Sequence, residues 1–430
     1  MDGGDGDMKE LNMIKLGELY VVHNGISKGN KYFGSGFPFL SFSTVFNNYF
    51  IPEQLTDLVQ TTDAERESYS IHRGDVFVTR TSETSNELGM SCVALKDYPD
   101  ATYNGFTKRM RPISEKVLPE YVGYYLRMPS FRNQFLAFST MTTRASLKKE
   151  DLLGLSINLP PKRIQQRIAD ILMAYDRLIK NNHRQIKLLE EAAQRLYKEW
   201  FVDLRYPGHE NVRMVDGVPE GWRKTSLQEF VAFEIGGGWG EEYIIGKNEI
   251  EAYVVRGTDF DGLKNGEFLS VPLRYHTENN LSTRSLEHGD ILFEVSGGSR
   301  TEGVARTCRI IDSMLERWGK QVICASFCKR IKPVNIELSQ YLFDHLQYLR
   351  AEKVTEEYDK RSASSIVNFR WKDFLNHQKV LYPAIHVISE YNKLAVPIYS
   401  QIIELSLQIE TAKTARDRLL PKLMSGEIAV

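Results

Sequence analysis

Residues 106–112 read FTKRMRP, and residues 327–333 read FCKRIKP. Phenylalanine, a Lys-Arg pair, an apolar residue, a cation and proline recur in register, at an offset of 221 (327 − 106). Upstream, residues 71–79 (IHRGDVFVT) face residues 286–294 (LEHGDILFE) at an offset of 215 (286 − 71). Still further upstream, Thr44 in FLSFSTVF corresponds loosely to Thr258 in YVVRGTDF. Downstream, Tyr121 to Leu126 faces Tyr341 to Leu346, and Arg144-Ala145-Ser146 faces Arg361-Ser362-Ala363-Ser364. Asp151-Leu152 then faces Asp373-Phe374, and Pro161 faces Pro383. One coincidental match is easy to find, but a series kept in order at a nearly constant offset is not. The chain therefore reads as an internal duplication.

Each copy has the same layout. Short strand-like runs such as Val76–Thr79, Ile291–Val295 and Val322–Phe327 mix with a few helices. A proline-marked exit follows, Leu159-Pro160-Pro161 in one copy and Leu381-Tyr382-Pro383 in the other, and leads into a long helix. From Lys162 to about Trp200 there is no Pro and no Gly. Apolar residues fall at Ile164, Ile168, Ile171, Tyr175, Leu178, Ile186, Leu189, Ala192, Leu196 and Trp200, in steps of mostly three and four. That is a coiled-coil seam, and Asn182 and Gln185 interrupt it as polar residues that fix register. The second helix is predicted from Ser389 to Met424 with the seam Ile398, Ile402, Leu405, Ile409, Ala412, Arg416, Leu419, Leu423. Pro397 is placed near its start, where a missing N–H costs least, and Pro421 is expected to bend or end it near Leu420.

Two long seams in one chain are most simply satisfied by packing on each other. The expected fold is α+β: two similar mixed α/β globular domains separated by two long helices that form an antiparallel coiled coil. The predicted boundaries are a disordered leader at 1–7, globular domains at 8–160 and 207–384, and helical spacers at 161–206 and 385–430.

The 430 residues allow about two to four domains. Hydrophobic residues at 42% and charged residues at 26% are ordinary for a soluble globular protein. No apolar run approaches the roughly 20 residues of a membrane span. The Gly/Asp-rich start lacks the features of a signal peptide. Four cysteines, Cys92, Cys308, Cys324 and Cys328, do not make a disulfide framework in so long a chain, so a reducing cytoplasm is expected. The net charge of −1 does not mark a nucleic-acid binder, and any DNA surface has to come from local basic clusters.

A search for chemistry returns no G-x-x-x-x-G-K-[ST], no H-E-x-x-H, no G-x-S-x-G, no paired C-x-x-C and no Asn/Asp-Pro-Pro-aromatic turn. No catalytic residue and no metal ligand is therefore expected. His23, His72 and His288 read as surface or turn residues, and Asp75 and Asp290 as parts of Gly-Asp turns. What recurs is basic and polar. Lys108-Arg109 with Arg111, and Lys329-Arg330 with Lys332, sit beside Phe106 and Phe327. On strands, alternate cations share a face, which suits phosphate contacts. Arg80-Thr81-Ser82 and Ser299-Arg300-Thr301, with Ser43, Thr44, Arg144, Arg256, Thr258 and Arg361, are residue types that read base edges. For any one of them the competing reading is a solvated charge. Ile168, Tyr175, Leu178, Leu189, Leu196, Ile402, Leu405, Ile409 and Leu419 are the candidate coiled-coil and subunit contacts.

At the proline exits and helices the chain resembles the specificity subunit of type I restriction–modification systems. The resemblance is carried by LPPKRIQQRIA (159–169), DRLI (176–179), RLYKEWF (195–201), VPEGW (218–222) and RLLPKLMSGEI (418–428). It departs at Gln165, where the family usually has Glu. It implies a subunit without catalysis, whose two target recognition domains each read half of a bipartite double-stranded DNA site. It also implies helices that set the gap and dock two modification subunits. S-adenosylmethionine would bind those partners, and ATP and Mg the restriction subunits, leaving no cofactor in this chain. Readers related by a pseudo-two-fold would contact half-sites about one helical turn apart, with an unspecified gap of about 5–8 bp. Competing readings are the recognition subunit of a related type IIB/IIG system, an enzyme with a divergent site, and a coiled-coil scaffold without a DNA role.

Overall fold

In VFVT, Val76–Thr79, all four residues are buried, as expected of a strand covered on both faces. Val76 and Val78 pack with Met110, Tyr121 and Tyr124, while Phe77 points the other way into a cluster with Val45, Cys92 and Tyr103. This strand is central to a four-stranded antiparallel sheet ordered Tyr20–Asn24, Thr107–Pro112, Val76–Thr79, Ser91–Val93. A second sheet orders Leu58–Val59, Phe33–Leu40, Thr102–Tyr103, and its last pair is parallel. Met13–Lys15 pairs with Ser156–Asn158, and Thr81–Ser82 with Ala145–Ser146.

The computed structural model describes residues 12–82, 88–136, 145–297, 303–361 and 366–430. They divide into two compact units. The first comprises the described residues up to Asp176 together with Thr414–Val430, and the second is Arg177–Lys413.

Taken by itself, the second unit repeats the topology of the first. Its four-stranded antiparallel sheet is ordered Val231–Gly236, Cys328–Pro333, Ile291–Glu294, Thr307–Arg309. Its three-stranded sheet is Leu273–His276, Ile250–Val255, Gln321–Cys324, again with a parallel last pair. Arg223–Ser226 pairs with Lys379–Tyr382, and a small sheet orders Ser296–Gly297, Val367–Phe369, Asp359–Arg361. Register agrees as well: Phe77 faces Arg109 in one unit and Leu292 faces Arg330 in the other. The duplication read from FTKRMRP and FCKRIKP is thus a duplication of strand order, sense and register.

The long helices run Lys162–Tyr197 and Ile385–Ser425, and a π turn, Lys198–Val202, carries the first onward to bury Trp200 and Phe201. Within the first unit, Ile164 and Ile168 border the same cavity as Leu423 and Met424, and Asp176 meets Arg416 at 2.5 Å. Within the second, Asn182 donates to Gln408 at 3.2 Å and Trp200 packs on Tyr391. In each unit, numbering rises along one helix as it falls along the other, so the pair is antiparallel there.

Three expectations are corrected. In its middle the seam of the first helix lies one residue further on, with Leu172 and Ile179 buried and Leu178 43% exposed, while Ile164, Ile168, Ile186 and Trp200 are buried as read. Adjacent apolar residues both fit a 3.5-residue step, and only packing selects between them. Pro397 is interior because the second helix begins at Ile385, and the carbonyl one turn earlier loses its backbone donor. Pro421 does not end that helix, since burial of Leu420, Leu423 and Met424 holds it to Ser425. Asn182 is buried within the seam, whereas Gln185 is exposed.

Candidate nucleic-acid interface

The recurring Gly-Asp turns bury a carboxylate in each unit. Asp75 is 0% and Asp290 1% exposed. Each accepts a backbone N–H three residues back, from His72 at 2.8 Å and Glu287 at 2.7 Å. A desolvated carboxylate needs a cation as well. Asp75, Arg109 and Arg111 share a sheet face, as do Asp290, Arg330 and Lys332. In the first unit Arg111 forks onto Asp75 at 2.8 and 2.7 Å. In the second Arg330 takes that role at 2.7 Å, because position 332 is a lysine that reaches Glu287 instead. Burial still holds the Asp290 carboxyl above the usual range.

Alternate cations do share a face, which is internal at Arg109 and Arg330, half-buried at Arg111 and exposed at Lys332. Arg109 is buried over the Tyr103 ring and donates to the Ser70 carbonyl. Arg109 and Arg330 are therefore core cations, which corrects the expectation that both contact phosphates. Lys108, on the opposite face, is largely buried and rests its ammonium on the neutral Asn24 carboxamide at 3.1 Å. Lys329 is paired with Glu234 at 2.6 Å.

The residues placed towards the strand ends differ between units. In the first, Arg80 is half-buried, and its buried Nε has no hydrogen-bond partner. Burial and then the charge of Arg80 hold the Lys108 ammonium below its ordinary range; Glu150 opposes them in part, and Lys149 adds to the lowering. His23 is held down by burial and then by Arg109, Lys149 and Arg111. These mutual repulsions describe a patch of cations that no carboxylate neutralises fully. In the second unit the position of Arg80 is Val295 (offset 215), Glu294 takes Arg306, and Glu234 also accepts the Trp371 indole N–H at 2.9 Å. Sequence reading missed Lys149, because only tertiary structure brings that exposed residue near Lys108.

The remaining candidates scatter. Ser43 is exposed, and Thr44 is half-buried against the capping Ser41 of the helix Phe42–Asn47. Arg256 pairs with Asp259 at 2.6 Å, and Thr258 is exposed. The backbones of Thr81 and Ser82 pair with Ser146 and Ala145, and that of Arg361 with Val367. Arg144, Ser299 and Arg300 lie outside the described residues. Of the coiled-coil candidates, Ile168, Ile402, Leu405 and Ile409 are buried, and Tyr175, Leu189, Leu196 and Leu419 are half-buried. Among the described residues no group of His, Cys, Asp and Glu is placed to hold a metal, and no helix is long and apolar enough to cross a membrane.

Residues 8–191 match the family model of the type I restriction modification DNA specificity domain. The specificity subunit of the type I restriction enzyme MjaIX of Methanocaldococcus jannaschii is 24% identical, over 99% of this chain and 94% of its own length. The HindI specificity subunit of Haemophilus influenzae is 27% identical over 38% of this chain and 35% of its own. Among solved structures, the S subunit of a type I restriction–modification system from M. genitalium superposes with a TM-score of 0.57 at 12% identity, over 98% of both chains. At that identity the likeness speaks for the fold alone.

Proposed function

We propose that this chain, whose residues 8–191 match the type I restriction modification DNA specificity domain, is the non-catalytic sequence-reading subunit of a type I restriction–modification enzyme. One observation carries the reading. The family match covers the first copy of the fold, and the same strand order and register recur in Arg177–Lys413. A chain holding two copies of one recognition fold suits a DNA target in two parts. Each unit reads one half-site, and the halves differ because the exposed residues and charges differ.

The long helices set the gap between half-sites and dock two modification subunits. S-adenosylmethionine is bound by those partners, and ATP and Mg by the restriction subunits, so the assembly works on cytoplasmic DNA. The test is to co-express the full chain with its modification partner and sequence the methylated sites. Two short, unlike half-sites with a fixed gap are expected. Methylation or cleavage by the chain alone would overturn the non-catalytic reading, and methylation without sequence preference would overturn the specificity reading.

A further inference from the structure

Each unit presents a phenylalanine on a rigid turn at the same place in the fold. Phe106 is 57% and Phe327 61% exposed, and neither joins a core cluster. Both stand third in a four-residue turn closed by the same backbone bond: Thr107 N–H to Asn104 O at 3.0 Å, and Cys328 N–H to Ala325 O at 2.9 Å. The phenylalanine carbonyl is held too, by Arg80 N–H at 3.0 Å in one unit and Val295 N–H at 2.9 Å in the other. A glycine backs each turn. A Cβ on Gly25 would stand 2.1 Å from the Asn104 carbonyl oxygen, and one on Gly237 2.3 Å from that of Ala325.

Duplication copies scaffold, and scaffold explains the turns, the glycines and the buried Asp-Arg pairs. It does not explain the rings, because a side chain left mostly in water adds little packing. At Phe106 the surrounding charge says what covers the ring, and Phe327 repeats its place in the fold. Phe106 lies between Arg80, which bonds its carbonyl, and Lys108, two residues along on the same strand face, in the patch where cations repel one another. An aromatic ring beside cations that are only partly neutralised suits a polyanion that also offers flat apolar surfaces. A nucleic-acid duplex offers both, phosphates outside and, in its grooves, thymine methyl groups or a base step that a wedge opens.

We propose that Phe106 and Phe327 are matched wedges, each pressing its ring against the bases of the half-site its unit reads. The proposal rests on the sequence-reading function above and assigns two residues to it. A rigid ring loses little conformational freedom on binding, and its contact releases no counterions. Its removal therefore weakens specific binding without changing salt dependence.

The experiment uses the full chain assembled with its modification subunits, and the cognate duplex defined by the methylated motif. Phe106→Ala and Phe327→Ala are each expected to lower cognate affinity about tenfold or more, the scale of losing one aromatic–base contact. The slope against salt and the affinity for an unrelated duplex should hold. Phe106→Trp should retain binding, and its emission should shift on cognate duplex and not on unrelated duplex. Unchanged cognate affinity in both alanine variants overturns the wedge while the reading function stands, and so does an equal loss on both duplexes. Loss of subunit assembly with DNA affinity intact assigns the rings to a protein partner and overturns it too. A parent complex without sequence preference overturns the functional reading, and the wedge with it.

Discussion

The helix Pro119–Tyr125 of the first unit and the helix Leu338–Ala351 of the second anchor their sheets to the long helices with reversed polarity. Tyr121 and Tyr341 do the same work, donating to the carbonyls of Asn158 and Leu381. Three residues further on, the partners swap. Tyr124 donates to Asp176 on the first long helix, whereas Asp344 accepts from Tyr391 on the second, at 2.7 Å. Asp176 also has Arg416 beside it, while the donors to Asp344 are neutral, Tyr391 and Gln340 at 2.9 Å. Burial pushes the Asp344 carboxyl up to about 7. The next residue, His345, meets the Tyr197 hydroxyl at 2.6 Å and is pushed down to about 3 by burial. One fold therefore sets a carboxylate beside a cation in one copy and among neutral donors in the other.

The largest effect should come from removing the cation of a buried pair. Arg330→Ala strands Asp290 in the core and should cost about 3–5 kcal/mol of the second unit's stability. Arg111→Ala should cost less, because the Arg111 side chain is 29% exposed and water can enter beside Asp75 as it leaves. Urea unfolding of both variants tests this, and equal losses would erase the distinction between the units.

The next effect is in pH. Folded Asp344 keeps its proton up to about pH 7, while the unfolded chain releases it near 3.8, so this group adds stability as pH falls between those values. His345 acts oppositely. Folded it stays neutral down to about 3, whereas unfolded it charges below about 6.5, so stability is lost as pH falls through that window. From about pH 6.5 to 4 the two cancel. Asp344→Asn leaves the histidine alone, and stability should then fall by about 1 kcal/mol per pH unit on acidification across that range. His345→Gln should give the opposite slope. Chemical denaturation at several pH values reads both, and two variants parallel to the parent would mean that the pair does not titrate as its burial implies.

The smallest effect concerns DNA. Lys149→Ala should lower the salt slope of binding by the assembled complex by about 1, since it removes one cation from the partly neutralised patch. Lys329→Ala should leave the slope nearly unchanged, because that ammonium already faces Glu234. Equal changes would mean that the two units share one electrostatic design.

Much of this was legible in the residues. Order and offset alone identified the duplication, and the helix starts at Lys162 and Ile385 lie within a few residues of the reading. The recurring cations were found, but not their roles. Arg109 and Arg330 look like surface charges in a linear reading, but Arg109 turns inward onto the Tyr103 ring and the Ser70 carbonyl, and Arg330 onto Asp290. Lys149 carried no local signal.

Period and repetition are properties of the chain itself, so the sequence by itself determined two copies of one fold and two long amphipathic helices. Charge neutralisation and burial depend on which side chains meet across strands far apart in sequence. Only the tertiary structure decided that the arginines of the repeated motif are core residues, that Leu172 rather than Ile171 faces the seam, and that Phe106 and Phe327 stand in water.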